Sequence, residues 1–177
     1  STKTPKTKPI SDQRALIIGV SDYPKPADRL PAVAADVREM AKILSSKHGI
    51  FSMKGVTVLT DKQATRAKVL AALRSVFGGP EVDTVFVYLA GHGEVMGGKY
   101  YYIAHDTTDD ESTAIPLTEI KALFDGTKSR RAFLWLDFCH SGGSQADGAC
   151  PASGPISAEV QVSGNDVIRS WSIRQIK

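Results

Sequence analysis

The chain has 177 residues, is 42% hydrophobic and carries a formal net charge of +3. That is enough chain to bury a real core in one domain, and the balance excludes a disordered or strongly nucleic-acid-binding protein. No apolar run approaches the ~20 residues that cross a bilayer, and two cysteines, Cys139 and Cys150, do not make a disulfide framework.

Residues 1–12 read as a flexible basic tail in which Lys3, Lys6 and Lys8 are spaced by Thr and Pro. They lack the apolar core of a secretion signal, which leaves the cytoplasm as the expected location. Three lysines without aromatic residues are a weak footprint for nucleic acid, and neither nucleic acid nor a membrane is expected as a partner.

Beyond the tail, strand and helix signals alternate. Ala15 to Val20 is a continuous apolar run, the pattern of a strand buried on both faces. Val33, Val37, Met40, Ala41 and Leu44 follow at helical spacing, with Gly49 as a stop. Val56–Leu59 is a second strand. Thr65 caps a second helix carrying Val69, Leu70, Leu73, Val76 and Phe77, and Gly78-Gly79-Pro80 ends it. Thr84–Ala90 is a third strand, ending in Gly91-His92-Gly93, and Tyr100–Ala104 reads as part of a hairpin. Ile120, Leu123 and Phe124 line a third helix that stops at Gly126, and Ala132–Leu136 runs into Asp137-Phe138-Cys139-His140-Ser141-Gly142-Gly143. This alternation predicts an α/β sandwich of three layers, a mostly parallel sheet with helices on both faces. From Ser141 to Gly164 small residues dominate, so residues 144–177 read as a mobile linker that leaves the sheet uncovered beyond the Cys139 strand.

Ligands of such sheets bind outside the carboxyl ends of the strands. His92 and Cys139 both stand just past such an end. A thiol becomes a strong nucleophile as a thiolate, and a nearby imidazole favours that form. Cys139 is therefore the candidate nucleophile and His92 its acid–base partner. The glycines around His92 are expected to leave the ring open to a substrate. His140 adjoins the nucleophile but, as its strand neighbour, points to the opposite face. Asp137 is a carboxylate in an apolar strand, costly unless something pairs with it. Either a basic side chain of a substrate or backbone N–H groups of a neighbouring loop would serve. No residue stands out as a third group to orient His92. A zinc site on His92, Cys139, His140 and Cys150 matches no common finger spacing.

Four ordered pieces resemble the caspase-like cysteine peptidases, a group that includes metacaspases and prokaryotic caspase homologues: Ala15–Tyr23, Leu30–Asp36, Tyr88–Gly93 and Asp137–Gly142. They span residues 13–143, and the separation of His92 from Cys139, 47 positions, is close to the ~50 of caspases. Asp-Phe-Cys-His-Ser stands where animal caspases have Gln-Ala-Cys-Arg-Gly, which resembles the metacaspase branch. The resemblance implies a cysteine endopeptidase cleaving protein or peptide substrates after Arg or Lys through a Cys139–His92 dyad. It implies an oxyanion hole from the N–H groups of Gly93 and Cys139, and an acidic pocket from Asp137 and, by a looser match, Asp36. It further implies that residues 13–143 form a large catalytic subunit, with a small subunit as another chain and Lys177 as a processing site that activates a zymogen. Metacaspases often need calcium; Asp106, Asp109, Asp110 and Asp147 match that pattern poorly, and no metal or other cofactor is predicted. The alternative is a catalytically silent caspase-like module that binds a partner.

Overall fold

The computed structural model describes residues 12–46, 55–80, 82–140, 156–158 and 168–174; for positions 26, 139, 140, 156–158 and 168–174 the description is of the backbone. In chain order the elements are β1 (Gln13–Gly19), α1 (Pro31–Ser45), β2 (Val56–Thr60), α2 (Arg66–Gly78), β3 (Thr84–Met96), β4 (Lys99–Ile103), β5 (Ile115–Pro116), α3 (Leu117–Asp125), β6 (Arg131–His140), β7 (Ile156–Ala158) and β8 (Ile168–Arg174). The sheet runs β2-β1-β3-β6-β8-β7, with β4 and β5 added beside the far end of β3. β1 pairs in parallel with β2 and β3, β3 with β6, and β6 with β8. No helix among the described residues is long and apolar enough to cross a membrane.

The alternation of side chains along each strand divides the core into two layers. Ala15 and Ile17 of β1, with Tyr88 and Ala90 of β3, pack under Val33, Val37 and Leu44 of α1. Leu16 and Ile18, with Val85, Val87 and Leu89, face the other way onto Leu70, Leu73 and Phe77 of α2 and Ile120 and Phe124 of α3. The three inward residues of α1 lie on one stripe at helical spacing, and Pro31 opens the helix, where its missing N–H costs nothing. Gly19 brings that helix close: a Cβ there would overlap Val37, with Val33 at 3.2 Å. On the opposite face Phe77 and Phe124 meet edge to face, 5.6 Å between ring centres.

Local signals account for the ends of these elements. The Thr65 hydroxyl accepts from the Lys68 N–H at 3.4 Å, and Asp106 accepts from the Arg66 N–H at 2.7 Å, so two of the first free N–H groups of α2 are met. Gly79 caps its far end. Gly97 and Gly98, at φ 54° and 75°, form the tight turn between β3 and β4. Helix α1 stops at Ser45, before Gly49, which lies outside the described residues.

Two sequence expectations are corrected. β3 does not end at Ala90 but continues to Met96, because β4 supplies a new partner where β1 stops. The edge beyond β6 is not bare: β8 pairs with it from Arg131↔Ile168 to Asp137↔Arg174, and β7 pairs with β8. Residues 156–158 and 168–174 are thus sheet rather than linker. The open N–H and C=O groups of β6 need a partner, and Ile168-Arg169-Ser170-Trp171-Ser172-Ile173 alternates in a way the Gly- and Ser-rich stretch before it obscures. The basic tail up to residue 11, Asp147, Cys150, Val160–Val162 and Lys177 lie outside the described residues.

Candidate active site

The chain order β2-β1-β3 reverses direction at β1. From β1 the chain crosses by α1 on one face to β2, then returns by α2 on the other face to β3. The order therefore switches between β1 and β3, and sheets of this kind bind ligands outside the carboxyl ends of the strands near such a point. Everything below lies at that edge.

His92 reaches it on β3. Its register partner on β6 is Cys139, and Gly93 pairs with His140. Neighbouring parallel strands run about 4.8 Å apart, so the backbones of the two candidate catalytic residues are side by side. Two positions lower, on the same face, Ala90 pairs with Asp137, and two below that Tyr88 pairs with Trp135. Sequence separation alone could not supply this register.

The His92 imidazole is held at Nε2, which lies 2.7 Å from the carbonyl oxygen of Asp28. A carbonyl only accepts, so Nε2 carries the proton. In the neutral ring that leaves Nδ1 with the lone pair, as the base. Nδ1 is buried and has no hydrogen-bond partner among the described residues. The third group absent from the sequence reading is therefore a main-chain carbonyl, which no search for side chains could find.

The loop that presents Asp28 is closed on itself. The Leu30 N–H donates to the Ser21 carbonyl at 2.8 Å and the Ser21 hydroxyl donates to the Leu30 carbonyl at 2.9 Å. Arg29 pairs with Asp22 at 2.9 Å. Asp61, at φ 46°, accepts from the N–H groups of both Ser21 and Asp22 at 2.8 Å each. Within this loop Tyr23 is buried and its ring lies 4.7 Å from the imidazole. Its hydroxyl accepts from the His92 N–H at 2.8 Å and donates to the Ile103 carbonyl at 2.9 Å.

Gly91 serves a purpose other than the expected one. At φ 151°, a Cβ would lie 2.7 Å from the Tyr23 hydroxyl and 3.2 Å from the Tyr102 ring. Its missing side chain makes room for two tyrosines. Tyr102 is fully buried and donates to the Ala90 carbonyl at 3.1 Å. Burial raises its pKa well above the usual phenol value, with smaller contributions from Tyr23 and Asp61, so it stays a proton donor. Gly93 matters through its backbone. N–H groups alternate sides along a strand, and the His92 N–H points to Tyr23, so the Gly93 N–H points to the β6 side.

Asp137 is 3% exposed and accepts from the Tyr88 hydroxyl at 2.8 Å. The Tyr88 hydroxyl on the neighbouring strand is thus one partner of this carboxylate. Tyr88 was legible only as a polar aromatic in an apolar run. Asp36 is half-buried on α1, whose Val33 and Val37 pack in the same layer as Tyr88. The acids weighed as calcium ligands are apart in function: Asp106 caps α2, Asp109 pairs with Lys25 at 3.3 Å, and Asp110 accepts from the Ser112 N–H at 2.9 Å, a bond that lowers its pKa. Among the described residues no three His, Cys, Asp or Glu side chains gather as metal ligands do.

A crossover sheet that sets His92 and Cys139 in register on neighbouring strands agrees with what the family comparison finds: a caspase-domain model of the C14 peptidases matches residues 12–169. The chain belongs to the caspase-domain family. This caspase-domain chain is also similar in structure to a structural-genomics target protein from Geobacter sulfurreducens, at 25% identity and a TM-score of 0.59, over 75% of this chain and 52% of that one. The chain thus spans about half the length of that relative. No curated protein matches it significantly.

Proposed function

We propose that this caspase-domain chain is the catalytic part of a cysteine endopeptidase that cleaves protein substrates after Arg or Lys. The observation that carries the reading is the register pair His92↔Cys139 toward the carboxyl ends of β3 and β6, with the proton of His92 held on Nε2 and the buried Nδ1 left as base. In the proposed reaction the Cys139 thiol gives its proton to His92 Nδ1. The thiolate attacks the scissile carbonyl carbon, forming a C–S bond, and the oxygen takes the negative charge. N–H groups of Gly93 and Cys139 stabilise that oxyanion. The imidazolium then protonates the leaving nitrogen as the C–N bond breaks. Water, giving a proton to His92, attacks the thioester, and the C–S bond breaks to release the acid and restore the thiolate.

Specificity for Arg or Lys is assigned to Asp137, with Asp36 as the second acid. The support is a carboxylate two positions below the dyad on the same face, buried and oriented by the Tyr88 hydroxyl. A neutral pocket floor would not need that carboxylate. A small-subunit partner completes the proposal, supported by this chain's covering 52% of its structural relative.

The test is turnover of fluorogenic peptides that differ only in the residue before the bond. Cleavage after Arg and Lys but not Asp is expected, with loss in Cys139→Ala and His92→Ala. Asp137→Asn should lose the basic preference while retaining alkylation of Cys139. No turnover of any peptide, with a partner bound equally by wild type and Cys139→Ala, would establish the silent-module alternative instead.

A further inference from the structure

We propose that Tyr23 is a positioning residue for His92, and that its hydroxyl sets where the imidazole stands relative to the Cys139 strand. This rests on the dyad reading above and adds to it a residue that acts through His92.

The reasoning begins with the backbone of β3. Up to Ala90 its neighbour on one side is β1: Gly19 pairs with Ala90, and the Val20 N–H donates to the Ala90 carbonyl at 3.1 Å. From His92 onward the neighbour on that side is β4, beginning at Ile103. The His92 N–H falls at the changeover. It bonds to the Tyr23 hydroxyl, which in turn bonds to the carbonyl of Ile103, the register partner of His92. An oxygen atom is thereby inserted between two strands that would otherwise bond directly.

The direction of both bonds is forced. An N–H can only donate and a carbonyl can only accept, so the hydroxyl uses its one proton on Ile103 and a lone pair on His92. The phenol is 4% exposed, so water does not compete freely for either group. Gly91 clears the space, since a Cβ there would lie 2.7 Å from this same oxygen. The Tyr23 ring also backs the imidazole at 4.7 Å, tilted by 46°. One loop thus fixes His92 twice, at the ring through Asp28 and at the main chain through Tyr23. The second anchor opposes movement of β3 toward β4, which is movement away from β6.

Removing only the hydroxyl has two physical outcomes. Either the His92 N–H and Ile103 carbonyl close on each other and draw His92 from β6, or they stay apart and the strand softens. A misplacement of about 1 Å at a reacting group is worth on the order of 100-fold in rate. The expected result for Tyr23→Phe is a fall in kcat of roughly 10- to 100-fold with KM within about twofold.

Two readouts separate positioning from mere structure. The first is a double-mutant cycle on kcat: in a His92→Ala background Tyr23→Phe should change the residual rate little, because it acts through His92. Multiplying losses would overturn the proposal. The second is the rate of Cys139 alkylation by iodoacetamide, followed by peptide mass so that Cys150 is scored apart. It needs no peptide substrate. Tyr23→Phe should slow it toward the His92→Ala rate, while Val33→Ala, a core change in α1, should not. Wild-type alkylation in Tyr23→Phe beside slow alkylation in His92→Ala overturns the positioning role alone. Wild-type alkylation and turnover in His92→Ala itself overturn the dyad reading. Should Tyr23→Phe not fold, Gly91→Ala, which crowds the same hydroxyl, carries the test.

Discussion

Gly91→Ala adds a single methyl group where three features of the site meet. Its backbone sits at φ 151°, a region L residues rarely adopt, and the new Cβ would lie 2.7 Å from the Tyr23 hydroxyl, 3.2 Å from Tyr102 Cε2 and 3.4 Å from the Tyr102 hydroxyl. Backbone strain of this kind costs about 1–3 kcal/mol. Tyr23 must retreat, which weakens its bonds to His92 and Ile103, each worth about 1 kcal/mol. The sum is about 3–5 kcal/mol, a large share of the roughly 5–15 kcal/mol that holds a typical domain together. At roughly 2–4 °C per kcal/mol for a chain of this size, Tm should fall by about 10 °C in a thermal melt. Turnover of the folded fraction should fall at least about tenfold, because His92 moves with its N–H partner. A variant that melts within about 2 °C of wild type and keeps its kcat would show that this packing around His92 is wrong.

Asp61→Ala removes the carboxylate that takes both loop N–H groups. Stability should drop by about 2–3 kcal/mol, and limited proteolysis should cut the 20–30 loop faster, with kcat reduced because Asp28 and Tyr23 lose their mounting. Tyr102→Phe tests the buried phenol by pH. Unfolded tyrosine ionises near 10.0 while folded Tyr102 keeps its proton to higher pH. Above pH 10 the unfolded chain binds fewer protons, so stability falls as pH rises, by up to about 1.4 kcal/mol per pH unit for this group. Denaturant melts of Tyr102→Phe should show a shallower alkaline decline; equal slopes would argue that Tyr102 is not buried as described. Val37→Ala opens a cavity between α1 and β1, against Gly19. It should cost about 2 kcal/mol, read as a Tm lower by roughly 4–8 °C, with kcat of the folded protein unchanged.

The sequence by itself determined the alternating elements and the two reactive residues. Ala15–Val20 has the short, continuous apolar run of a strand buried on both faces, and Val33, Val37 and Leu44 recur at the spacing of one helix face, patterns that are properties of the chain itself. Cys139 and His92 were conspicuous because each follows an apolar run with glycines nearby. The rest was decided by contacts between residues far apart in the chain. Whether His92 and Cys139 share a register depends on strand pairing, which no local pattern encodes. The changeover from β1 to β4 carried β3 past His92, and the open edge of β6 recruited residues 168–174 that looked like linker. The orienting group on His92 is a backbone carbonyl, identical in every residue and so invisible in any sequence. Tyr23 and Gly91 acquire their meaning only together, since a hydroxyl and a missing methyl group explain each other once the fold has put them in the same place.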